Sequence, residues 1–364
     1  MSKARELAQK PNQPTGRKNL IINGAMNVAQ RGTSSATGLA EQSDGYKTVD
    51  RWKYVASGVE NAGQITMSYE TDAPDDFKYS TKYLVTTADA DMGASGMLRL
   101  ETHLEAQDLR HLNYGSSAAK QVTLSFWVKS NKTGSYSAGL YMDSVASGSD
   151  NEISQAYTIS SADTWEYKTL TFAANTTTVM NATGNDHGLR VWFISAAGSN
   201  TTSGSSNTWG GLANRAVGQS VNLYDTVNNY WQITGVQLEV GSVATEFEHR
   251  SFGEELALCQ RYYHQQERTS SPVGGVYIGI GQVNQTTQAL AIYTLPVSMR
   301  TTPTLAHGTV GAGATSSYAG TLSAFYADNL HFSFYFVSSG MVVGDVIRIY
   351  NAGTGDKVTF DAEL

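Results

Sequence analysis

The sequence has little cysteine, proline or charge, and no long apolar run. Its 364 residues include 1 Cys and 6 Pro, and 16% of them are charged. A single cysteine, Cys259, excludes a disulfide framework and a cysteine-based zinc site. No apolar stretch approaches the roughly 18 residues of a membrane helix, and the first ten residues lack the apolar segment of a signal peptide. We therefore expect a chain that neither inserts into a membrane nor depends on disulfide bonds.

Aromatic and hydroxyl-bearing residues take the place of the missing charge. The chain contains 20 Tyr, 11 Phe and 6 Trp at a net charge of −7. Disordered chains have high net charge and few aromatic residues, so this composition indicates a folded protein. Threonine and aromatic side chains suit a pleated surface, which favours an all-β fold. The sequence also has no cluster of Lys and Arg, which argues against nucleic acid as a partner.

Residues 19–250 show the pattern of many short strands. The segment 121–129 alternates apolar with other residues, which is the period of a strand with one buried face. Further candidate strands cover residues 136–143, 165–172, 189–194 and 230–240. Short strands separated by Gly, Ser, Asn and Asp clusters are typical of a sandwich or jelly roll. We predict a jelly roll over residues 19–250, preceded by a polar segment, residues 1–18.

One segment interrupts the strand pattern and predicts a helix over residues 251–268. Ser251 and Glu254 have the spacing of a capping box at the start of a helix. One stripe of this helix is formed by Phe252, Leu256, Cys259 and Tyr263. Such a stripe either packs on a neighbouring sheet or meets its own copies around a symmetry axis. In the second alternative this stripe is the interface between copies of the chain.

A second, smaller β domain is expected over residues 269–364. Candidate strands cover residues 276–280, 289–295, 331–337 and 346–350, with a flexible stretch at 311–317. Strand edges in so small a domain need covering, and oligomerisation would provide it.

Motifs of enzymes and metal sites are missing. The seven His residues have no metal-ligand spacing, and there is no nucleophile elbow, phosphate loop or dinucleotide fingerprint. Asp89 and Asp91 lie two residues apart and suit calcium, but the further ligands of a calcium loop are absent. We expect no catalytic residue, no metal and no cofactor. A pair of carboxylates that meets only in space is invisible in a sequence, so a polysaccharide-cleaving enzyme stays an alternative.

Aromatic residues are the candidates for binding. A ring that stacks on a sugar, beside polar groups that hydrogen-bond its hydroxyls, forms a glycan site. Trp127, Tyr141 and Trp192 would form such a platform if they line one sheet face, although Trp is as common in a core. A second set of candidates lies in the distal domain: Tyr318, Phe325 and Tyr326.

Eight segments together carry a resemblance to a known group of proteins: NLIING at 19–24, QRGT at 30–33, DRW at 50–52, LSFWVKSNKTGSYS at 124–137, WQITGVQLEVGSVATEFEHR at 231–250, SFGEELALCQRYY at 251–263, LPVSMRTTPT at 295–304 and DAEL at 361–364. They resemble structural proteins of tailed bacteriophages, especially tail-fibre or receptor-binding proteins.

This resemblance implies a jelly roll similar to a carbohydrate-binding module, then a helix and a distal β domain. It further implies a homotrimer on the virion, attached to other tail proteins through residues 1–18, that adheres to a host cell-surface polysaccharide. A purely structural capsid fibre or tail adaptor, and a polysaccharide depolymerase, are the alternatives. Related jelly rolls begin NGDF or NGGF, with an acidic position for calcium. This chain has Ala25 and Met26 after Asn23 and Gly24, so no calcium site is expected.

Overall fold

The computed structural model describes residues 17–58, 63–144, 151–181, 184–267, 277–313 and 317–364. Over these residues its architecture confirms the predicted class: an all-β jelly-roll sandwich, then an α-helix and a smaller C-terminal β domain. Residues 1–16 of the predicted N-terminal segment, and the predicted boundary at 268–269, lie outside the described residues. No helix within the described ranges is long and apolar enough to cross a membrane.

The first sheet of the sandwich has six antiparallel strands. In chain order they are β1 (Ala36–Leu39), β4 (Gln64–Glu70), β5 (Ser80–Thr87), β7 (Val122–Ser130), β10 (Glu166–Phe172) and β12 (Tyr230–Val240). Across the sheet the order is β1-β4-β5-β12-β7-β10, so β10 is an edge strand and β7 lies beside it.

The second sheet also has six strands. They are β2 (Gly45–Tyr46), β3 (Lys53–Ser57), β6 (Met97–Glu105), β8 (Gly134–Met142), β9 (Asn151–Ile159) and β11 (His187–Ala197). Their order in the sheet is β2-β3-β6-β11-β8-β9. Short 3₁₀ helices in the connections cover Ala106–Leu112, Ser199–Thr201, Leu212–Asn214 and Leu223–Asp225.

Alternation along the strands forms the core between the two sheets. On β7, Leu124, Phe126 and Val128 point inward and are fully buried, as the period of two predicts. Phe126 meets Phe193 of the opposite sheet edge-on, with ring centroids 4.9 Å apart and an interplanar angle of 74°. Aromatic pairs prefer this geometry, so such contacts fix how the two sheets pack as well as burying area. Trp52 and Trp231 extend the same cluster.

The α-helix, α1 (Phe252–Gln260), is shorter than the predicted helix over 251–268. Its start agrees with the prediction, because the Ser251 hydroxyl accepts a hydrogen bond from the Glu254 backbone N–H at 3.3 Å. Its end does not, because the chain turns after Gln260 and continues as a strand, β13 (Tyr263–Glu267). Antiparallel pairing with β21 (Lys357–Asp361), which arrives from the other end of the sequence, overrides the local helical pattern.

The distal domain combines a barrel with a small sheet. The barrel strands are β14 (Tyr277–Gln285), β15 (Gln288–Thr294), β17 (Val310–Gly313), β18 (Ser317–Ala327), β19 (His331–Val337) and β20 (Val346–Asn351). They close in the order β14-β15-β19-β18-β17-β20, and β13, β21 and β16 (Thr304–His307) form the small sheet. The predicted flexible stretch at 311–317 is wrong for residues 311–313, which belong to β17 and pair with β18 and β20; residues 314–316 lie outside the described residues.

A buried polar joint connects the jelly roll to the distal domain. Arg51, fully buried, donates to the Glu363 carboxylate and, at 2.6 Å, to the His103 carbonyl. Its guanidinium also lies 3.4 Å from the centroid of the Tyr262 ring. The same carboxylate forms a second ion pair, with Nη2 of Arg31 at 3.2 Å from Oε1 of Glu363. Arg31 and Arg51, from the start of the described chain, therefore meet Glu363, the penultimate residue, in one cluster.

Candidate functional site

A cleft of about 900 Å³ lies on the outer face of the first sheet. It is lined by Asp76, Phe77, Thr123, Ser125, Trp127, Tyr167, Thr169, Thr171, Gly235, Ser242, Val243, Ala244, Thr245, Glu246, Phe247 and His249. Five of these residues carry an aromatic or imidazole ring, and most of the others carry hydroxyl or carboxylate groups. A concave surface of this composition is typical of a ligand site.

The floor of the cleft is formed by β7 and β10. Trp127 is paired with Tyr167 across the two strands, and their ring centroids lie 5.4 Å apart at 49°. Tyr167 is 44% exposed, so one ring face is open to solvent. The next outward pair along the strands is Ser125 and Thr169. The floor therefore places aromatic rings and hydroxyl groups in adjacent rows, as the alternation of an antiparallel pair requires.

A β-bulge in β12 makes room for the rings. The register between β12 and β7 shifts between Thr234 and Gln237. Gly235 lies in this bulge with a φ of 63°, which favours glycine. A Cβ added there would lie 2.7 Å from Cζ of Phe77 and 3.0 Å from Cδ1 of Trp127. The glycine thus allows two rings from distant segments to approach each other over the strand.

The first wall of the cleft, residues 72–79, connects β4 to β5. Gln232 of β12 donates from Nε2 to the Asp72 carbonyl at 3.1 Å. The Thr234 hydroxyl donates to the Tyr79 carbonyl at 2.6 Å. Both ends of the wall are therefore tied to the sheet by side chains that point outward from β12.

The second wall, residues 241–249, follows β12. The buried Gln237 donates to the Thr245 carbonyl at 3.3 Å and accepts from the Glu248 backbone N–H at 2.8 Å. The buried Glu239 accepts from the Thr245 backbone N–H, also at 2.8 Å. These two polar side chains lie on an outer sheet face and still find partners, because the wall folds back over them.

Three rings join the two walls. Phe77 from the first wall packs edge-on against Phe247 from the second, with centroids 5.0 Å apart at 79°. The centroid of the exposed His249 ring lies 5.4 Å from that of Phe77 and 4.9 Å from that of Phe247. The cleft is therefore bounded by aromatic contacts as well as by the hydrogen bonds to β12.

This arrangement can hold a polar, hydroxylated ligand against a partly apolar surface. Exposed ring faces offer area to C–H groups, and hydroxyl groups can donate and accept hydrogen bonds. Asp76 and Glu246 add two exposed carboxylates at the walls.

Among the predicted glycan-binding residues of the jelly roll, Trp127 lies in this cleft. Tyr141 and Trp192 do not, because β8 and β11 belong to the second sheet. The predicted platform of Trp127, Tyr141 and Trp192 on one sheet face is therefore wrong. Trp192 is only 2% exposed and packs with Ala216 of the connection that covers the second sheet. Tyr141 is half-buried against Trp192, with centroids 5.9 Å apart.

The distal candidates lie away from the cleft, on β18. Tyr326 is 60% exposed, whereas Tyr318 packs against the distal core. The side chain of Phe325 lies outside what the structure describes. These residues do not line the cleft.

The predicted trimer stripe is divided by the fold. Phe252 is 60% exposed and Leu256 half-buried, whereas Cys259 and Tyr263 are buried within one chain. Tyr263 leaves the stripe because α1 ends before it, and its ring lies 3.7 Å from the Arg31 guanidinium. Cys259 and Tyr263 are therefore not available as contacts between copies.

Sequence reasoning missed most of the cleft. Tyr167 is the residue that a signal could have found, because it alternates outward on the predicted strand 165–172. Phe77, Phe247 and His249 lie on connections, where no periodicity shows which way a ring points.

Within the described ranges, no group of three or more His, Cys, Asp or Glu side chains is placed to hold a metal ion. Asp89 uses its carboxylate to accept the Asp91 backbone N–H at 3.0 Å, which closes a local turn. Asn23 is buried and donates from its side chain to the carbonyls of Val28 and Asp50.

No family model and no curated protein matches the chain. Solved structures with similar β-sandwich parts include the enzymatically active domain of bacteriophage CBA120 tailspike protein 4, at 13% identity and a TM-score of 0.32, covering 61% of this chain and 21% of that chain. Another is the family 11 carbohydrate-binding module of Clostridium thermocellum Lic26A-Cel5E, at 11% identity and a TM-score of 0.29, covering 59% of this chain and 99% of that chain. A third is TmCBM61 in complex with β-1,4-galactotriose, at 11% identity and a TM-score of 0.28, covering 62% of this chain and 100% of that chain. The chain thus spans about a fifth of the tailspike chain, and TM-scores in this range identify neither a family nor a ligand.

Proposed function

We propose that this chain is a non-catalytic glycan-binding component of a phage virion, a trimeric tail fibre or spike that adheres to a bacterial surface polysaccharide. The cleft on the first sheet is the proposed binding site. One observation carries this proposal: Trp127 and the 44%-exposed Tyr167 form an open aromatic floor beside a row of hydroxyl groups, between two anchored walls. The virion role is supported by the sequence resemblance described above.

Binding to immobilised bacterial capsules and O-polysaccharides tests the site. Tyr167→Ala and Trp127→Ala each remove a ring from the floor, and each should weaken binding at least about fivefold, as truncation of a central aromatic contact does. Tyr167 is the cleaner position, because its exposed ring contributes little to the core.

Tyr326→Ala is the matched control, since it removes an exposed aromatic ring from the distal barrel. It should bind as the unaltered chain does. Loss of binding in Tyr326→Ala with normal binding in Tyr167→Ala would move the site to the distal domain and overturn the assignment to the cleft.

In the proposed virion role, the chain attaches to the particle through the segment that precedes the jelly roll. Lys18 donates from Nζ to the Thr245 hydroxyl at 2.7 Å, so the chain enters the fold beside the second wall. Deleting residues 1–16 should leave a folded chain that no longer enters particles, detected by antibody labelling of virions. Normal incorporation of the deletion variant would contradict attachment through this segment and favour another structural role.

A trimer is supported by apolar surface on the distal barrel. Ile280 and Ile292 are 64% and 62% exposed and lie directly opposite each other on β14 and β15. Val346, on the neighbouring strand β20, is 60% exposed. Contiguous exposed apolar side chains of this kind mark contacts between chains more often than free surface. Light scattering should give three times the mass of one chain, and a monomer would contradict the trimer.

A depolymerase is the second candidate, because Asp76 and Glu246 place two carboxylates at the same cleft. Two carboxyl groups flanking a glycosidic bond can hydrolyse it. The purified chain, incubated with a polysaccharide that it binds, should release no new reducing ends. Release that disappears in Glu246→Gln would replace the adhesin with an enzyme.

A further inference from the structure

The charged residues that line the cleft are acidic apart from one histidine. Asp76 and Glu246 are exposed at the first and second walls, and His249 packs against the neighbouring rings of Phe77 and Phe247. Among the described lining residues, none is Lys or Arg. Sites that bind carboxylate or phosphate groups normally supply a guanidinium, an ammonium or free backbone N–H groups.

Three ammonium groups lie near the cleft without lining it: those of Lys18, Lys78 and Lys129. Lys18 donates from Nζ to the Thr245 hydroxyl at 2.7 Å and to the Glu246 carbonyl. The Nζ of Lys78 lies 5.0 Å from the centroid of the Tyr79 ring.

Lys129 follows Trp127 by two residues on β7, and its Nζ forms an ion pair with the Asp72 carboxylate. The same Nζ lies 5.5 Å from the centroid of the Trp165 ring. Its side chain is 13% exposed, so an anion in the cleft would compete with Asp72 for a partly covered cation.

Two backbone amides of the second wall have partners as well. The Thr245 N–H donates to Glu239 and the Glu248 N–H donates to Gln237. Both bonds point toward the sheet, away from the open side of the cleft. An anionic group on a bound sugar would therefore meet the carboxylates of Asp76 and Glu246 without a compensating donor from these amides.

We propose that the cleft selects glycans without acidic groups and rejects those that carry uronate, sialate or phosphate groups. Asp76 and Glu246 are the specificity-determining residues: they repel an anion, while the rings and hydroxyl groups of the floor bind an uncharged chain. Selection of this kind works by penalising the wrong ligand rather than by improving the right one. The inference rests on the proposed function, because it concerns the ligand class of the same cleft.

Chemically matched probes test the charge selection. Binding is measured at pH 8 to neutral glucose, galactose and mannose polymers and to acidic bacterial polysaccharides. The best-bound neutral polymer is then oxidised at C6, which converts its primary alcohols to carboxylates on an unchanged backbone. At low salt the oxidised polymer should bind about tenfold more weakly, the size expected for one anion near two carboxylates. In 0.5 M salt the difference should fall to within about twofold, because exposed charges are screened.

Variants assign the effect to the cleft. In Asp76→Asn combined with Glu246→Gln, the neutral and the oxidised polymer should bind within about twofold of each other at low salt. Asp75→Asn removes an exposed neighbouring carboxylate that does not line the cleft, and it should keep the full discrimination.

The outcomes separate this inference from the proposed function. Equal or tighter binding of the oxidised polymer by the unaltered chain, or discrimination that persists in the double variant, overturns the charge selection and leaves glycan binding intact. Binding to an acidic polysaccharide but to no neutral one also overturns the charge selection and leaves glycan binding intact. Binding to none of the probes removes the proposed function, and the inference with it.

Discussion

Replacing Glu363 by Gln should destabilise the chain by about 3 kcal/mol. Glu363 is the carboxylate partner of Arg51, whose side chain is fully buried in the joint between the two domains. Burial lowers the pKa of the Arg51 guanidinium, but the charge of Glu363 together with smaller contributions from Tyr262, Tyr46 and Cys259 outweighs it, so that pKa is raised above its usual value. Breaking a buried ion pair from one side costs about 3–5 kcal/mol, because the other charge stays buried without its partner. The lower end applies here, since Arg51 keeps the His103 carbonyl and the Tyr262 ring.

Urea unfolding followed by tryptophan emission measures this change, because Trp52 is fully buried and adjacent to Arg51. Glu254→Gln is the matched control: it neutralises a carboxylate 3.4 Å from Arg17 in a pair whose side chains are 45% and 48% exposed. Exposed pairs of this kind contribute about 0–1 kcal/mol. The two Glu→Gln changes should therefore differ severalfold in their cost.

A double variant, Arg51→Met with Glu363→Leu, tests the reason for the loss. If an unpaired buried charge causes it, replacing both partners by apolar side chains should cost much less than the sum of Arg51→Met and Glu363→Leu. A cost equal to that sum, or a loss below about 1 kcal/mol in Glu363→Gln, would refute the reasoning.

Three further predictions concern the distal domain, the cleft and the assembly. Burial lowers the pKa of His264 to about 4, below the ordinary value near 6.5, so the unfolded chain binds a proton that the folded chain excludes. Stability that is present above pH 6.5 is therefore lost as the pH falls toward 4, and His264→Phe should flatten this dependence in urea unfolding between pH 7 and 4.5; an unchanged slope would contradict it. Gly235→Ala should weaken glycan binding at least tenfold, measured on the polysaccharide array, because the new Cβ would collide with Phe77; normal binding would show that the walls tolerate the shift. Ile280→Asp should convert the proposed trimer into monomers in light scattering, whereas Leu256→Asp should have the smaller effect, since part of its stripe is buried within one chain; the reverse order would move the proposed trimer axis to the helix.

Local pattern was sufficient for some strands, and it was insufficient where a distant segment decides the conformation. The strands at 230–240 and 331–337 were predicted with the bounds that the structure has. Buried apolar residues alternate without a break along 331–337, and in 230–240 they alternate on both sides of the bulge at Gly235. The helix was predicted too long because residues 263–267 contain no Gly or Pro that would end it. Its true end depends on pairing with Lys357–Asp361, about ninety residues later in the chain.

The residues of the candidate site also differ in whether local pattern alone could predict their position. Trp127 was predicted as an outward ring, and its strand alone determines that direction. Trp192 has the same local pattern, but a connection that contains Ala216 covers it, and no periodicity reports such covering. Phe77 lies in the cleft because Gln232 and Thr234, more than 150 residues later, hold the ends of its wall. Long-range hydrogen bonds of this kind are visible only in the folded chain.

The joint around Arg51 has a consequence for how the proposed trimer would meet a surface. Because a buried ion pair and a ring contact connect the two domains, we expect the cleft and the distal barrel to keep a fixed angle to each other. Three copies joined through their barrels would then hold three clefts at set separations, without a flexible tether between them. Once one cleft is occupied, the second would encounter a neighbouring repeat of the polymer at an effective concentration that depends on geometry alone. The spacing of repeats along a polysaccharide would thus become a property that the particle recognises, in addition to the chemistry of each sugar.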